Sequence, residues 1–98
     1  MTREVTVYSK TPCGQCTMTK RELSKKHVEY TEVEADKPGQ EELADSIRER
    51  ATALGVQGTM PYVTVHDSGG DLIAEWFGFQ PDMINAHAAV RDEDSGDD

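Results

Sequence analysis

The sequence predicts a small mixed α/β sandwich, and three observations carry that prediction. Short β-branched runs alternate with segments of good helix formers in the order β-α-β-α-β-β-α. The leading strand–helix–strand unit calls for a right-handed crossover, which leaves its two strands parallel. The last two strands are separated only by turn residues, so they pair antiparallel in the same sheet.

Residues 4–9 open the chain as a strand, with Val5 and Val7 on one face and Thr6 and Tyr8 on the other. Pro12 stops the pairing, because its ring fixes φ and removes a backbone donor. From Gly14 the chain turns helical, with Cys16, Thr19 and Leu23 sharing a face, and the helix is expected to end near His27. Residues 28–35 alternate as an edge strand, where Glu32 and Glu34 discourage edge-to-edge pairing. After the turn Asp36-Lys37-Pro38-Gly39, residues 40–54 are the clearest helix: Leu43, Ile47, Ala51 and Leu54 form one apolar stripe, and Gly55 suits the cap. Residues 56–61 are a loop. Two β-prone runs, 62–66 and 72–77, then flank the turn Asp67-Ser68-Gly69-Gly70-Asp71. Pro81 opens a last helix to about Val90, with Met83, Ile84, His87 and Ala88 facing inward. The expectation is one domain over residues 1–91 and a disordered acidic tail over 92–98.

Acids outnumber bases, 19 against 10, for a formal charge of −9. Five of those acids lie in residues 92–98, which leaves about −4 for the rest. An acidic chain is repelled by phosphate backbones and anionic lipid, which excludes nucleic acid and membrane surfaces as partners. No apolar stretch approaches the roughly 20 residues of a membrane span, and the N-terminus has no hydrophobic signal region. A cytoplasmic monomer is expected. With 36% apolar residues the core is small and has no room for a buried prosthetic group.

The chemistry sits in Ser9-Lys10-Thr11-Pro12-Cys13-Gly14-Gln15-Cys16-Thr17, which holds both cysteines. A strand that delivers a Cys-x-x-Cys pair to the first turn of a helix puts Cys13 where unpaired N–H groups and the helix dipole favour an anion. Thiolates, not thiols, attack disulfides, and such an environment lowers a cysteine pKa from about 8.5. The pair therefore points to dithiol–disulfide exchange, with Cys13 attacking and Cys16, one turn in and more shielded, resolving the mixed disulfide. In a reducing compartment two cysteines at this spacing mean catalysis or metal rather than a structural bridge. A closed zinc site needs four ligands. No third cysteine and no closely spaced pair among His27, His66 and His87 supplies them, so no metal is expected and the histidines are read as ordinary. A non-enzymatic metal-binding module, its site shared between two chains, is the alternative of a different class.

Cys13-Gly14-Gln15-Cys16 after the first strand, Thr59-Met60-Pro61 before the third, and the element order together resemble the glutaredoxin branch of the thioredoxin superfamily. More narrowly, Val5-Thr6-Val7-Tyr8-Ser9-Lys10, Gln15-Cys16, Thr19-Lys20 and Trp76-Phe77-Gly78-Phe79-Gln80-Pro81-Asp82 are similar to the NrdH-redoxins, over about residues 4–86. The resemblance implies a thioredoxin/glutaredoxin-like fold, a four-stranded mixed sheet flanked by three helices. It implies a redox carrier with no bound cofactor, taking electrons from NADPH through thioredoxin reductase and passing them to the large subunit of a class Ib ribonucleotide reductase. It further implies a cis Met60–Pro61 bond facing the Cys pair, with Thr59, Met60 and Pro61 lining the partner-binding surface.

Trp76, Phe77, Gly78 and Phe79 have two readings under that resemblance. They complete the core, or they form a partly exposed surface that recognises the reductase or blocks glutathione. Lys10 is either a solvated strand-end charge or a group that lowers the thiol pKa and steers an acidic partner. Lys20, Arg21, Lys25 and Lys26 give the first helix a basic character, either solvated or a docking face. Two positions depart from the redoxin pattern: Gly14 stands where a larger apolar residue is usual, and Phe77 where a small polar one is. Gly at the first position also occurs in mycothiol-dependent relatives, so a glutaredoxin served by glutathione or mycothiol is the alternative function.

Overall fold

The structure, a computed structural model, describes residues 3–88. Strand β1 (Glu4–Ser9) alternates as its sequence requires, burying Val5, Val7 and Ser9 on one side while Thr6 and Tyr8 turn to the other. Helix α1 (Gly14–Lys25) carries the chain back to β2 (Tyr30–Glu34), which pairs parallel with β1 from Val5↔Tyr30 to Ser9↔Glu34. Helix α2 (Glu41–Leu54) crosses the opposite face and leads to β3 (Tyr62–His66), antiparallel to β1. Strand β4 (Leu72–Phe77) returns antiparallel to β3, giving the sheet order β2-β1-β3-β4. This is the mixed four-stranded sheet with three helices that the element order predicts.

Because β1 and β3 are central, both of their faces are covered, and the molecule has two apolar layers. Val5, Val7, Val63, Val65 and Trp76 meet Leu23 of α1 and Ile84 and Ala88 of the C-terminal helix on one side. Ala35, Tyr62 and Phe77 meet Ile47 and Ala51 of α2 on the other. Each fully buried aliphatic side chain contributes about 1.5–3 kcal/mol relative to exposure, so the first layer, with more large side chains, fixes α1 firmly against the sheet. Leu54, expected on the inner stripe of α2, is instead exposed. It lies in the last turn before Gly55, whose left-handed backbone (φ 74°) ends the helix before the stripe returns to the sheet.

Helix α1 ends near His27 by a recognisable device. His27 takes φ 62°, its N–H donates to the Ser24 carbonyl, and the Val28 N–H donates to the Leu23 carbonyl. That is the Schellman arrangement, completed by an apolar Val28 that packs into the layer containing Leu23. The C-terminal helix, α3, is α-helical only over Pro81–Met83 and widens to a π-helical Ile84–Ala88. Ile84 and Ala88 are buried and Met83 and His87 half-buried, as the sequence places them. Residues 89–91 and the acidic tail at 92–98 lie outside the described residues.

A left-handed position held by a residue with a Cβ costs about 1–2 kcal/mol against a regular one, and glycine removes that cost while adding unfolded-chain entropy. His27→Gly is therefore expected to raise Tm by about 3–6 °C for a domain of this size. Thermal unfolding followed by circular dichroism checks this, and a lowered Tm would mean that His27 makes compensating interactions.

Candidate active site

Strand β1 ends at Ser9, and the chain turns through Thr11–Pro12, whose peptide is cis, to reach Cys13. Cys13 is the residue that caps α1. Its backbone is extended (φ −159°, ψ 105°) and its Sγ accepts the Cys16 N–H at 3.1 Å, while its carbonyl accepts the Thr17 N–H at 3.2 Å. The sulfurs of Cys13 and Cys16 are joined in a disulfide, with Cα atoms 5.3 Å apart. Cys16 is 2% exposed, whereas Cys13 is half-buried and borders the exposed Gly14 and Gln15. The two sulfurs thus differ in access, and the N–H that meets Cys13 Sγ favours negative charge there once the bond is reduced.

Opposite the pair lies the loop before β3. The Met60–Pro61 peptide is cis, and the Met60 carbonyl oxygen is 3.8 Å from Cys13 Sγ. A disulfide sulfur has no proton to donate, so this is a packing contact rather than a hydrogen bond. Thr59 is exposed, Met60 half-buried and Pro61 buried. The Pro61 carbonyl accepts the Gly78 N–H at 2.8 Å, which ties this loop to the end of β4. Gly78 has φ 85°, and a Cβ there would come within 3.1 Å of Gln15 Oε1. Gln15 Oε1 also accepts the Phe79 N–H at 2.9 Å. Gln15, inside the motif, therefore clasps the β4–α3 connection, a role that nothing in its sequence position announces.

The aromatic block is core. Trp76 is 4% exposed and points into the layer under α1 and α3, while Phe77 is 8% exposed and points into the layer under α2. Adjacent strand residues must face opposite ways, and both faces of the sheet are covered. Neither ring forms the exposed recognition surface that was the second reading, and only Phe79 is partly accessible. Phe77 instead stacks on Tyr62 (centroids 4.6 Å), which stacks on Tyr8 (5.5 Å).

The basic face of α1 is partly neutralised, with two carboxylates against its four cations and Arg21 in no ion pair among the described residues. Lys25 and Lys26 lie 3.8 and 3.3 Å from Glu22, and Lys20 Nζ lies 2.8 Å from Glu32 of β2. Glu32 also accepts from Ser9 Oγ at 2.8 Å. The Lys20 bond, then the Ser9 bond, hold the Glu32 carboxyl below its usual range, and the Glu32 bond raises Lys20. Lys10 is exposed and makes no hydrogen bond or ion pair with the described residues. His27, His66 and His87 fall at the end of α1, the end of β3 and in the π-helical segment.

Behind the loop, Glu75 accepts from Tyr62 Oη at 2.7 Å and pairs with the Arg50 guanidinium of α2, joining the residue after Pro61 to the helix beneath it. Arg50 lowers the Glu75 carboxyl, while burial, and then the bond to Glu75, push Tyr62 up. Among the described residues no cluster of three or more His, Cys, Asp or Glu side chains is placed to hold a metal. No helix there is long and apolar enough to cross a membrane.

Comparison with known proteins agrees with this geometry. The glutaredoxin family profile matches residues 5–69. The glutaredoxin-like protein NrdH of Escherichia coli K12 is 34% identical over 83 residues, covering 83% of this chain and 84% of that protein. The NrdH protein of Salmonella typhimurium is 33% identical over 81 residues, with the same coverage. Among solved structures, the E. coli NrdH-redoxin superposes with a TM-score of 0.65 at 30% identity, covering 85% of this chain and 92% of that one. A glutaredoxin of Archaeoglobus fulgidus (TM-score 0.61, 20% identity, covering 85% and 83%) shares the fold.

Glu75 and Glu32 both have folded pKa values below the ordinary 4.5. Their contribution to stability is complete above that value and is lost as pH falls through the depressed ones. Tm is expected to hold from neutral pH to about 4.5 and then to fall, less steeply in Glu75→Gln. Thermal melts from about pH 7 to 2.5 check this; an unchanged slope in the variant would show that the Arg50–Glu75 pair contributes nothing.

Proposed function

The chain belongs to the glutaredoxin family, and on that premise we propose that it is the electron donor to a class Ib ribonucleotide reductase, itself kept reduced by thioredoxin reductase at the expense of NADPH. The observation that carries the reading is the Cys13–Cys16 disulfide at the start of α1, with Cys13 half-buried and Cys16 2% exposed. Membership makes the chain a thiol–disulfide oxidoreductase, and its likeness to NrdH proteins extends over more than four-fifths of both chains. The E. coli NrdH-redoxin is described as having a thioredoxin-like activity profile, which supports thioredoxin reductase over a low-molecular-weight thiol as the reductant.

In the proposed cycle the reduced protein meets a disulfide on the large subunit. Cys13 thiolate attacks one sulfur of that disulfide, forming a Cys13–partner bond and expelling the other partner sulfur as thiolate. Cys16 then gives up its proton and attacks Cys13 Sγ. The second partner thiolate leaves, two electrons have passed to the partner, and the Cys13–Cys16 bond seen here is what remains. The helix N-terminus assists the first step by holding Cys13 ionised, and the shielding of Cys16 leaves Cys13 as the thiol that a partner meets first. Thiol pairs of this kind work in a reducing compartment, which supports action in the cytoplasm. The Gln15 bond to the Phe79 N–H favours the same reading, since it occupies a backbone donor beside the Cys pair that would otherwise be open to the carboxylate of a small thiol.

Two measurements test the proposal. In an NADPH oxidation assay with a protein disulfide, turnover is expected with thioredoxin reductase alone; turnover only with glutathione or mycothiol and its own reductase would overturn it. Cys16→Ser is expected to accumulate a mixed disulfide with the ribonucleotide reductase large subunit, and Cys13→Ser to transfer nothing. A Cys13→Ser variant as active as the parent would overturn the assigned roles.

A further inference from the structure

The segment leading into Cys13 is held by a single short stretch of the neighbouring strand. The Ser9 carbonyl accepts the Ala35 N–H at 2.8 Å, which extends the parallel ladder one residue past β2. Ser9 Oγ donates to Glu32 at 2.8 Å, and the Thr11 N–H donates to Asp36 Oδ2 at 2.9 Å. Three atoms in residues 9–11 are therefore fixed by residues 32–36. Glu32 additionally reaches Lys20, one turn beyond Cys16, so its carboxylate touches both elements that flank the cysteine loop. Ser9 is 2% exposed, whereas Glu32, which accepts its hydroxyl, is exposed. Asp36 and Thr11 are exposed, and Asp36 forms no ion pair with the described residues.

We infer that Asp36, with Glu32, is a positioning residue for Cys13: its carboxylate fixes the Thr11 N–H and thereby the direction from which Cys13 Sγ meets a partner disulfide. Disulfide exchange needs the attacking sulfur in line with the bond it breaks, so a small misplacement of the loop lowers the rate without changing which group reacts. Cys13 lies two residues past Thr11, at most about 7 Å along the chain, and the intervening Pro12 has a fixed φ. Freedom at Thr11 is thus transmitted to Cys13 with little to absorb it. The charged side chains on or bonded to this segment are Lys10, Asp36, Glu32 and, through Glu32, Lys20. This role requires disulfide exchange only and does not depend on which protein supplies the disulfide.

The test compares Asp36→Ala and Asp36→Asn, since asparagine keeps an acceptor for the Thr11 N–H while losing the charge. Each reduced variant is given an oxidised two-cysteine peptide, which must be attacked in line, and iodoacetamide, which a thiolate meets from open solvent. Asp36→Ala is expected to slow peptide reduction by about three- to tenfold, with Asp36→Asn recovering most of that loss. The alkylation rate and its pH profile are expected to match the parent in both variants. Equal slowing in Ala and Asn, or a displaced alkylation profile in both, would make Asp36 a source of charge rather than of position and overturn the inference. So would an Asp36→Ala variant that reduces the peptide as fast as the parent. Should Asp36→Ala unfold, seen by circular dichroism, full peptide activity in Glu32→Ala, which removes the acceptor for Ser9 Oγ, would equally count against the clamp.

Discussion

The Cys16 N–H directed at Cys13 Sγ governs this site. A helix leaves its first N–H groups without internal partners, and here one of them meets a sulfur. The same bond makes Cys13 the cap of α1 and gives its sulfur an environment suited to a thiolate. Structure and reactivity therefore rest on one contact. Fixing it requires that α1 be anchored at its far end, which the burial of Leu23 and the Schellman closure at His27 provide.

Sheet order explains why the remaining parts of the site gather where they do. With β1 and β3 adjacent and antiparallel, the end of β1 and the start of β3 lie at the same edge. Cys13 follows the first and Met60–Pro61 precedes the second, so two segments 47 residues apart in sequence meet. The end of β4 arrives at that edge as well, paired with Tyr62, and brings Gly78 and Phe79 within reach of Pro61 and Gln15. Parallel pairing of β2 with β1 brings residues 32–36 alongside residues 9–11 from the other side.

Much of this was legible in the residues. The 2-residue and 3.6-residue periodicities located all four strands and both long helices, and Gly55 announced its own cap. The cysteine pair announced the chemistry, because few residue types ionise and attack sulfur. The readings left open share a cause, which is that sequence shows what a side chain is but not which partner it finds. The cations of α1 looked available until Glu22 and Glu32 took three of them. Of the two readings open for Trp76 and Phe77 the core one holds, and strand alternation sends the two rings into different layers. Gln15 and Asp36 were legible as a motif residue and a turn residue but not by their partners, since their hydrogen bonds to Phe79 and Thr11 join segments 64 and 25 residues apart. The widening of α3 at Ile84 was likewise invisible, because the apolar positions suit either helix.

The inequality between the two sulfurs is tested most directly by brief alkylation of the reduced protein at about pH 7, followed by peptide mapping. Label on Cys13 is expected to exceed label on Cys16 by about tenfold or more. Equal labelling, or a preference for Cys16, would contradict the assignment of Cys13 as the exposed, ionised nucleophile.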